Sequence, residues 1–167
     1  MFRLTGGSSS GSAAATAGGF VDFATGSDCL GSVRVPAAYN GLFGMRPTLK
    51  RVANDGEAPY CESMDVLGYV AKDPMVFQKV SKVLLGEDSE TTPFKQLYIA
   101  SDCFESIDTD VANAFNELLD FLREQFTLSK AFTVAEEGLN QWVDIFRVVQ
   151  GYEVWESYGG WIDKHNP

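Results

Sequence analysis

The chain has 167 residues, a length that fits one domain, and 45% of them are hydrophobic, as in proteins that pack a core. Its 13 Lys and Arg residues against 23 Asp and Glu give a formal net charge of −10, which disfavours binding to nucleic acid or to a membrane surface. With one histidine, His165, and no C-x-x-C pair, neither a Ser-His-Asp triad nor a metal site is predicted. No targeting segment is recognisable, so we expect a cytoplasmic protein without a metal or another cofactor.

The first third of the chain predicts short elements separated by turns. Residues 5–19 contain only Gly, Ser, Ala and Thr, which taken alone are typical of a flexible linker. Because three consecutive alanines at 13–15 favour helix, we expect instead a tight loop that opens into a short buried helix. Three apolar runs broken by turn residues then predict short strands or extended segments at 20–25, 32–35 and 41–45.

Longer elements are predicted from Asp73 onward. Asp73 can cap a helix that has Pro74 at its first position and Gly86 as its stop. Apolar runs and helical spacing predict three more elements, a strand at 97–100 and helices at 108–126 and 139–155. Helices that alternate with extended segments indicate an α/β fold, and the length favours a single domain over residues 1–167.

Two serine-rich segments carry the residues with catalytic potential, GGSSSGSAAA at 6–15 and GSDCLGSVRVPA at 26–37. A phosphate-binding loop would need a lysine at the end of its glycine-rich segment, but the first lysine of the chain is Lys50. Gly7-x-Ser9-x-Gly11 matches the nucleophile elbow of other hydrolases, which also requires a histidine partner. Neither pattern explains both segments.

Together with GLFGMRPT at 41–48, the two segments match three ordered blocks of the amidase signature family, which the chain closely resembles. Members of this family are serine hydrolases that cleave carboxamide C–N bonds. The motif core covers residues 6–48. The resemblance implies an α/β fold in which a mixed twisted sheet is covered by helices on both faces. It also implies a small-molecule amide as the substrate.

Position by position, the resemblance implies that Ser32 is the nucleophile that forms an acyl-enzyme. Ser8 matches the bridging serine, which in the family follows a cis peptide bond, and Gly7 leaves room for that bond. Such a serine accepts the proton of the nucleophile while it passes its own proton to a lysine kept neutral by burial. Ser9 is the next candidate for the nucleophile.

The loop before the nucleophile supplies the other expected site residues. The backbone N–H groups of Cys29, Leu30, Gly31 and Ser32 itself would stabilise the carbonyl oxygen as it becomes an oxyanion. Asp28 and Arg34 would brace the loop. Leu30 stands where the family usually has a glycine.

In the family, the catalytic lysine lies on a strand far upstream of the bridging serine, whereas only seven residues precede Ser8. We therefore expect an internal piece of an amidase domain that is active only when the segment with the lysine is supplied. Its partners would be that missing segment or further copies of the chain. The alternative is a non-catalytic remnant or amide-binding module. A buried lysine near Ser8 would discriminate between the two hypotheses.

Overall fold

A computed structural model of the chain describes residues 4–86, 94–105 and 107–167. The chain divides into two compact units, one formed by residues 1–88 and 150–167 and the other by residues 89–149. Both units combine helices with strands, in agreement with the predicted α/β class. A single domain over residues 1–167 stays a prediction.

The first unit contains a three-stranded antiparallel sheet in the order β1-β3-β2. Its strands are β1 (Phe23–Ser27), β2 (Phe43–Met45) and β3 (Leu67–Ala71). The extended segments predicted at 20–25 and 41–45 therefore contain strands, whereas β3 was not predicted from the sequence. In the register of the sheet, Gly26 lies opposite Gly68.

Two short helices, α1 (Ser10–Ala17) and α2 (Arg34–Tyr39), contact this sheet. On the face that meets α2, Val33, Ala37 and Val70 form a buried cluster. A Cβ atom added to Gly26 on the same face would collide with the side chain of Ser9. Glycine at this position therefore lets the loop before α1 lie directly on the strand.

Helix α3 (Pro74–Leu85) packs on the opposite face of the sheet. The ring centroid of Phe77 lies 5.3 Å from that of Tyr69 on β3 and 5.6 Å from that of Phe43 on β2. The Tyr69 hydroxyl donates a hydrogen bond to Ser81 Oγ at 2.8 Å. Helices therefore cover both faces of the three-stranded sheet, as the family fold implies.

Asp73 caps α3 as predicted, because its carboxylate accepts hydrogen bonds from the amides of Met75 at 2.7 Å and Val76 at 3.1 Å. We expect the Asp73→Ala variant to lose about 1 kcal/mol of unfolding free energy, since both amides lose their acceptor. Urea denaturation followed by circular dichroism measures this loss. Asparagine can also cap, so Asp73→Asn is the matched control. Equal stability of the alanine variant and the parent would contradict the prediction.

The second unit contains a two-stranded parallel sheet made of β4 (Gln96–Ala100) and β5 (Leu128–Phe132). Helix α4 (Thr109–Gln125) lies between these strands in the chain, within the bounds predicted from its helical spacing. Strand β5 was not predicted, because its sequence LSKAF lacks β-branched residues. A short 3-10 turn at Ser101–Phe104 follows β4.

The apolar face predicted for α4 is present but uncovered within the described part of the chain. No described side chain of α4 is buried, and Val111, Phe115 and Leu118 all stay exposed. One contact on this face joins the rings of Phe104 and Phe115, whose centroids are 5.6 Å apart. Amphipathic helices are normally stabilised by packing of their apolar face.

Helix α5 (Leu139–His165) is longer than the segment predicted at 139–155. Gly159 and Gly160 have low helix propensity, so the sequence did not predict that the helix continues beyond residue 155. None of the helices within the described ranges combines the length and the hydropathy needed to cross a lipid bilayer.

Candidate active site

Asp28, in the loop between β1 and α2, has a fully buried carboxylate with 0% of its surface exposed. Its Oδ1 atom accepts a hydrogen bond from the amide of Gly31 at 2.7 Å, and Oδ2 accepts from those of Val33 at 3.1 Å and Arg34 at 3.2 Å. These bonds turn the backbone into the start of α2. The prediction of an extended segment at 32–35 is therefore wrong, because α2 begins at Arg34.

Two arginines compensate the charge of Asp28. Arg34 donates from Nε to Oδ2 at 3.0 Å and from Nη2 to Oδ1 at 2.9 Å, which is a bidentate ion pair. Arg46 Nε lies 3.7 Å from Oδ1. Burial by itself raises the pKa of Asp28, but the hydrogen bonds from Arg34 and from the backbone amides outweigh it and lower the pKa to about 2. The carboxylate therefore stays ionised at neutral pH.

Arg46 also links the Asp28 loop to a second segment of the chain. Its Nε atom donates to the carbonyl oxygen of Asp28 at 3.0 Å, and its Nη2 atom donates to that of Met64 at 2.7 Å. The amide of Asp28 donates in turn to the carbonyl of Val66 at 2.9 Å. Arg46 was not predicted as a site residue, although it lies in the third block of the motif.

The loops that carry Ser8 and Ser32 lie side by side. The amide of Ser9 donates to the carbonyl oxygen of Ser32 at 3.0 Å. The Gly7–Ser8 peptide bond is cis, as the resemblance implies. Ser8 is exposed and Ser32 half-buried, and within the described residues no hydrogen bond joins their hydroxyl groups. The structure therefore brings the two loops together through the backbone and not through the hydroxyls.

Two further hydrogen-bonding groups hold the loop before Ser8. Ser10 Oγ donates to the carbonyl oxygen of Gly6 at 2.6 Å. Asn40 Nδ2, directly after α2, donates to the carbonyl oxygens of Thr5 at 2.9 Å and Pro36 at 2.8 Å. The loop is therefore fixed to both of the helices that follow the serines.

The backbone amides expected to stabilise an oxyanion differ in their hydrogen bonds. That of Gly31 is bound to Asp28, whereas those of Cys29, Leu30 and Ser32 donate none within the described part of the chain. Gly31 has a φ of +112°, which favours glycine. Leu30 is not among the described non-glycine residues with a positive φ, and its side chain is 57% exposed.

The pKa values of the two thiols in this unit are raised. Burial raises the pKa of Cys29 to about 12, together with a hydrogen bond to Asp65 and the negative charge of that carboxylate. Burial also raises the pKa of Cys61, and Glu153 contributes to the shift. Thiolate is the reactive form of cysteine, so these raised pKa values keep both groups in the thiol form near neutral pH. Among the described residues, no cluster of His, Cys, Asp and Glu is arranged to hold a metal ion.

Comparisons with known proteins agree with the motif. The family described as Amidase matches residues 2–125. Amidase 1 of Arabidopsis thaliana is 47% identical over 105 residues, which cover 62% of this chain and 24% of that protein. Translocon at the outer membrane of chloroplasts 64, of Pisum sativum, is 43% identical over 111 residues, which cover 63% of this chain and 18% of that protein.

A solved structure described as a crystal structure of an amidase superposes with a TM-score of 0.83 and 27% sequence identity. The superposition covers 98% of this chain and 38% of that one. The chain therefore spans less than half of this structure, and the matched segments span about a quarter or less of the two relatives.

Proposed function

This chain belongs to the amidase family, and from that premise we propose that it hydrolyses a small carboxamide through an acyl-enzyme on Ser32. The observation that carries the proposal is the 3.0 Å hydrogen bond from the Ser9 amide to the Ser32 carbonyl. It holds the Ser8 loop beside the residue that matches the family nucleophile.

In the proposed reaction, Ser32 Oγ attacks the carbonyl carbon of the amide. The Ser32 proton passes to Ser8 Oγ, and the Ser8 proton passes to a neutral lysine. The C–N bond then breaks, and the leaving nitrogen takes up the proton through the same relay. Water hydrolyses the Ser32 ester, which releases the acid and restores the hydroxyl.

The amides of Cys29, Leu30 and Ser32 are the proposed oxyanion donors, because they have no other acceptor within the described residues. A well-placed donor of this kind contributes about 3 to 4 kcal/mol to transition-state stabilisation. The Gly31 amide has a different role in the proposal, since it holds Asp28.

We propose that the lysine belongs to a segment of the enzyme outside these 167 residues. Within the described part of the chain, no lysine donates a hydrogen bond to Ser8; Lys72 Nζ, for example, donates to the carbonyl oxygen of Ala17 at 3.4 Å. The solved amidase contains much more chain than the matched part, which supports this assignment.

We propose that chain outside these 167 residues also covers the apolar face of α4. Val111, Phe115 and Leu118 expose large apolar surfaces, which folded proteins usually bury. Without that cover, such surfaces favour association between copies of the chain.

A fluorophosphonate tests the proposal, since an activated serine displaces fluoride and forms a bond from its Oγ to phosphorus. The 167-residue chain alone is expected to stay unlabelled, because an ordinary hydroxyl is unreactive near neutral pH. The same chain fused to the upstream segment of a full-length amidase is expected to take up one label per molecule. Intact-mass and peptide mass spectrometry measure the stoichiometry and the labelled residue.

Labelling of the fused protein should disappear in Ser32→Ala and persist in Ser157→Ala, which removes an exposed hydroxyl from α5. A label on Ser9 would move the nucleophile to that residue. Stoichiometric labelling of the chain alone at Ser32 would show that another group acts as the base and would refute the proposed role of an external lysine.

The second candidate function is an amide-binding module without turnover. It is favoured by the 43% identity to a protein named as a translocon of the chloroplast outer membrane and not as an enzyme. A fused protein that binds amides but takes up no fluorophosphonate would support this second candidate. The cytoplasmic location of this chain stays a prediction, because that relative is named for the outer membrane of chloroplasts.

A further inference from the structure

Val35 lies in the first turn of α2, between the two serine-bearing loops. A Cβ atom built on Gly6 would lie 3.2 Å from Val35 Cγ1, and one built on Gly31 would lie 3.0 Å from Val35 Cγ2. Each methyl group therefore packs against a different glycine. Gly6 lies two residues before Ser8, and Gly31 directly precedes Ser32. Both glycines have positive φ angles, of +73° and +112°.

The backbone and side chain of Val35 are both held in place. Its amide donates to the carbonyl oxygen of Gly31 at 2.7 Å. Branching at Cβ restricts χ1, so the two methyl groups keep fixed directions relative to that backbone. A Cβ atom on Gly6 would also lie 3.2 Å from Pro36 N and Cα, which shows how closely the first loop approaches α2.

We propose that Val35 is a positioning residue that sets the separation between the Ser8 loop and the Ser32 loop. The inference rests on the proposed function, in which a proton passes between these two serines. Val35 is 40% exposed, so its truncation is expected to cost less unfolding free energy than the truncation of a fully buried valine. A large effect on the two loops would therefore come from their separation and not from the stability of the unit.

Hydrogen exchange of the Ser9 amide, followed by NMR in the full chain, measures the contact between the loops directly, because this amide donates to the Ser32 carbonyl. Val35→Ala is expected to accelerate Ser9 exchange at least about tenfold while the amides of β3 keep their protection. Val35→Thr, which preserves the branched shape, is expected to retain the parental rate. Val83→Ala makes the same truncation at a site that is 82% exposed and serves as the matched control.

Fluorophosphonate labelling of the fused protein provides the second measurement. Val35→Ala is expected to lower the labelling rate constant about 10- to 100-fold at full stoichiometry, since small displacements of reacting groups carry large rate penalties. Val35→Thr is expected to remain within about threefold of the parent. A purely structural role would instead lower the labelled fraction and leave the rate constant of the folded molecules unchanged.

Unchanged Ser9 exchange in Val35→Ala would overturn the inference, and so would equal acceleration at Ser9 and throughout β3. If the parental fused protein takes up no label, the proposed function fails. The exchange result then still decides whether Val35 separates the loops, so the two failures are distinguishable.

Discussion

Ser32→Ala, in a protein that contains the catalytic lysine, is expected to hydrolyse a simple aryl amide at least about a thousandfold more slowly than the parent. In the proposed reaction, the change removes the oxygen that forms the acyl-enzyme. Within the described residues, the Ser32 hydroxyl makes no hydrogen bond that maintains the fold, so the variant should unfold at the parental temperature. Steady-state kinetics and thermal unfolding measure the two effects.

Ser157→Ala is the control for this change and should keep the parental rate. A Ser32→Ala variant with near-parental activity would exclude Ser32 as the nucleophile, and Ser9 would then be tested in the same way. A variant that fails to fold would appear in the unfolding curve and not be mistaken for a catalytic defect.

Asp28→Asn is expected to lower the unfolding free energy of the first unit by about 3 kcal/mol. The variant keeps the size of the side chain, but it removes the charge that Arg34 and Arg46 compensate and places an NH2 group among donors. Urea denaturation at pH 7 measures the loss. Asp120→Asn, which breaks an exposed ion pair with Arg123, is the control and should change stability by less than about 0.5 kcal/mol.

The effect of Asp28 should also depend on pH. Its pKa is about 2 in the folded protein, against 3.8 for an unperturbed aspartate. Because the folded pKa is the lower one, the stabilisation is complete above pH 3.8 and is lost as the pH falls through 2, in total about 2 kcal/mol. The stability difference between the parent and Asp28→Asn should therefore shrink across this range. A constant difference from pH 5 to pH 2 would contradict the assigned pKa.

The elements that could be predicted from the sequence are those whose signals are local. Helix α3 has its cap at Asp73, and α4 shows an apolar stripe at helical spacing, so both were found within a few residues. The segment at 32–35 alternates like a strand, yet its amides bind a carboxylate several positions earlier in the chain. A side chain acting at that distance overrides the local pattern.

The candidate site also contains residues that the sequence could predict and contacts that it could not. The motif indicated Ser8, Ser32 and the loop around Asp28, because its blocks are contiguous in sequence. The contacts of Arg46 with Asp28 and Met64 each cross 18 positions of the chain, so no local pattern could predict them. The packing of Val35 against two glycines depends on where the separate loops come to lie in the folded unit.

The Asp28 loop has a consequence for the order in which the site is assembled. Five of the hydrogen bonds to its carboxylate come from residues within six positions along the chain. Contacts of such short sequence separation cost little loop-closure entropy and can form early in folding. The hydrogen bonds to the Asp28 carboxylate thus join residues that are close in the sequence, whereas the position of Ser32 relative to Ser8, 24 residues earlier, depends on how the first loop docks.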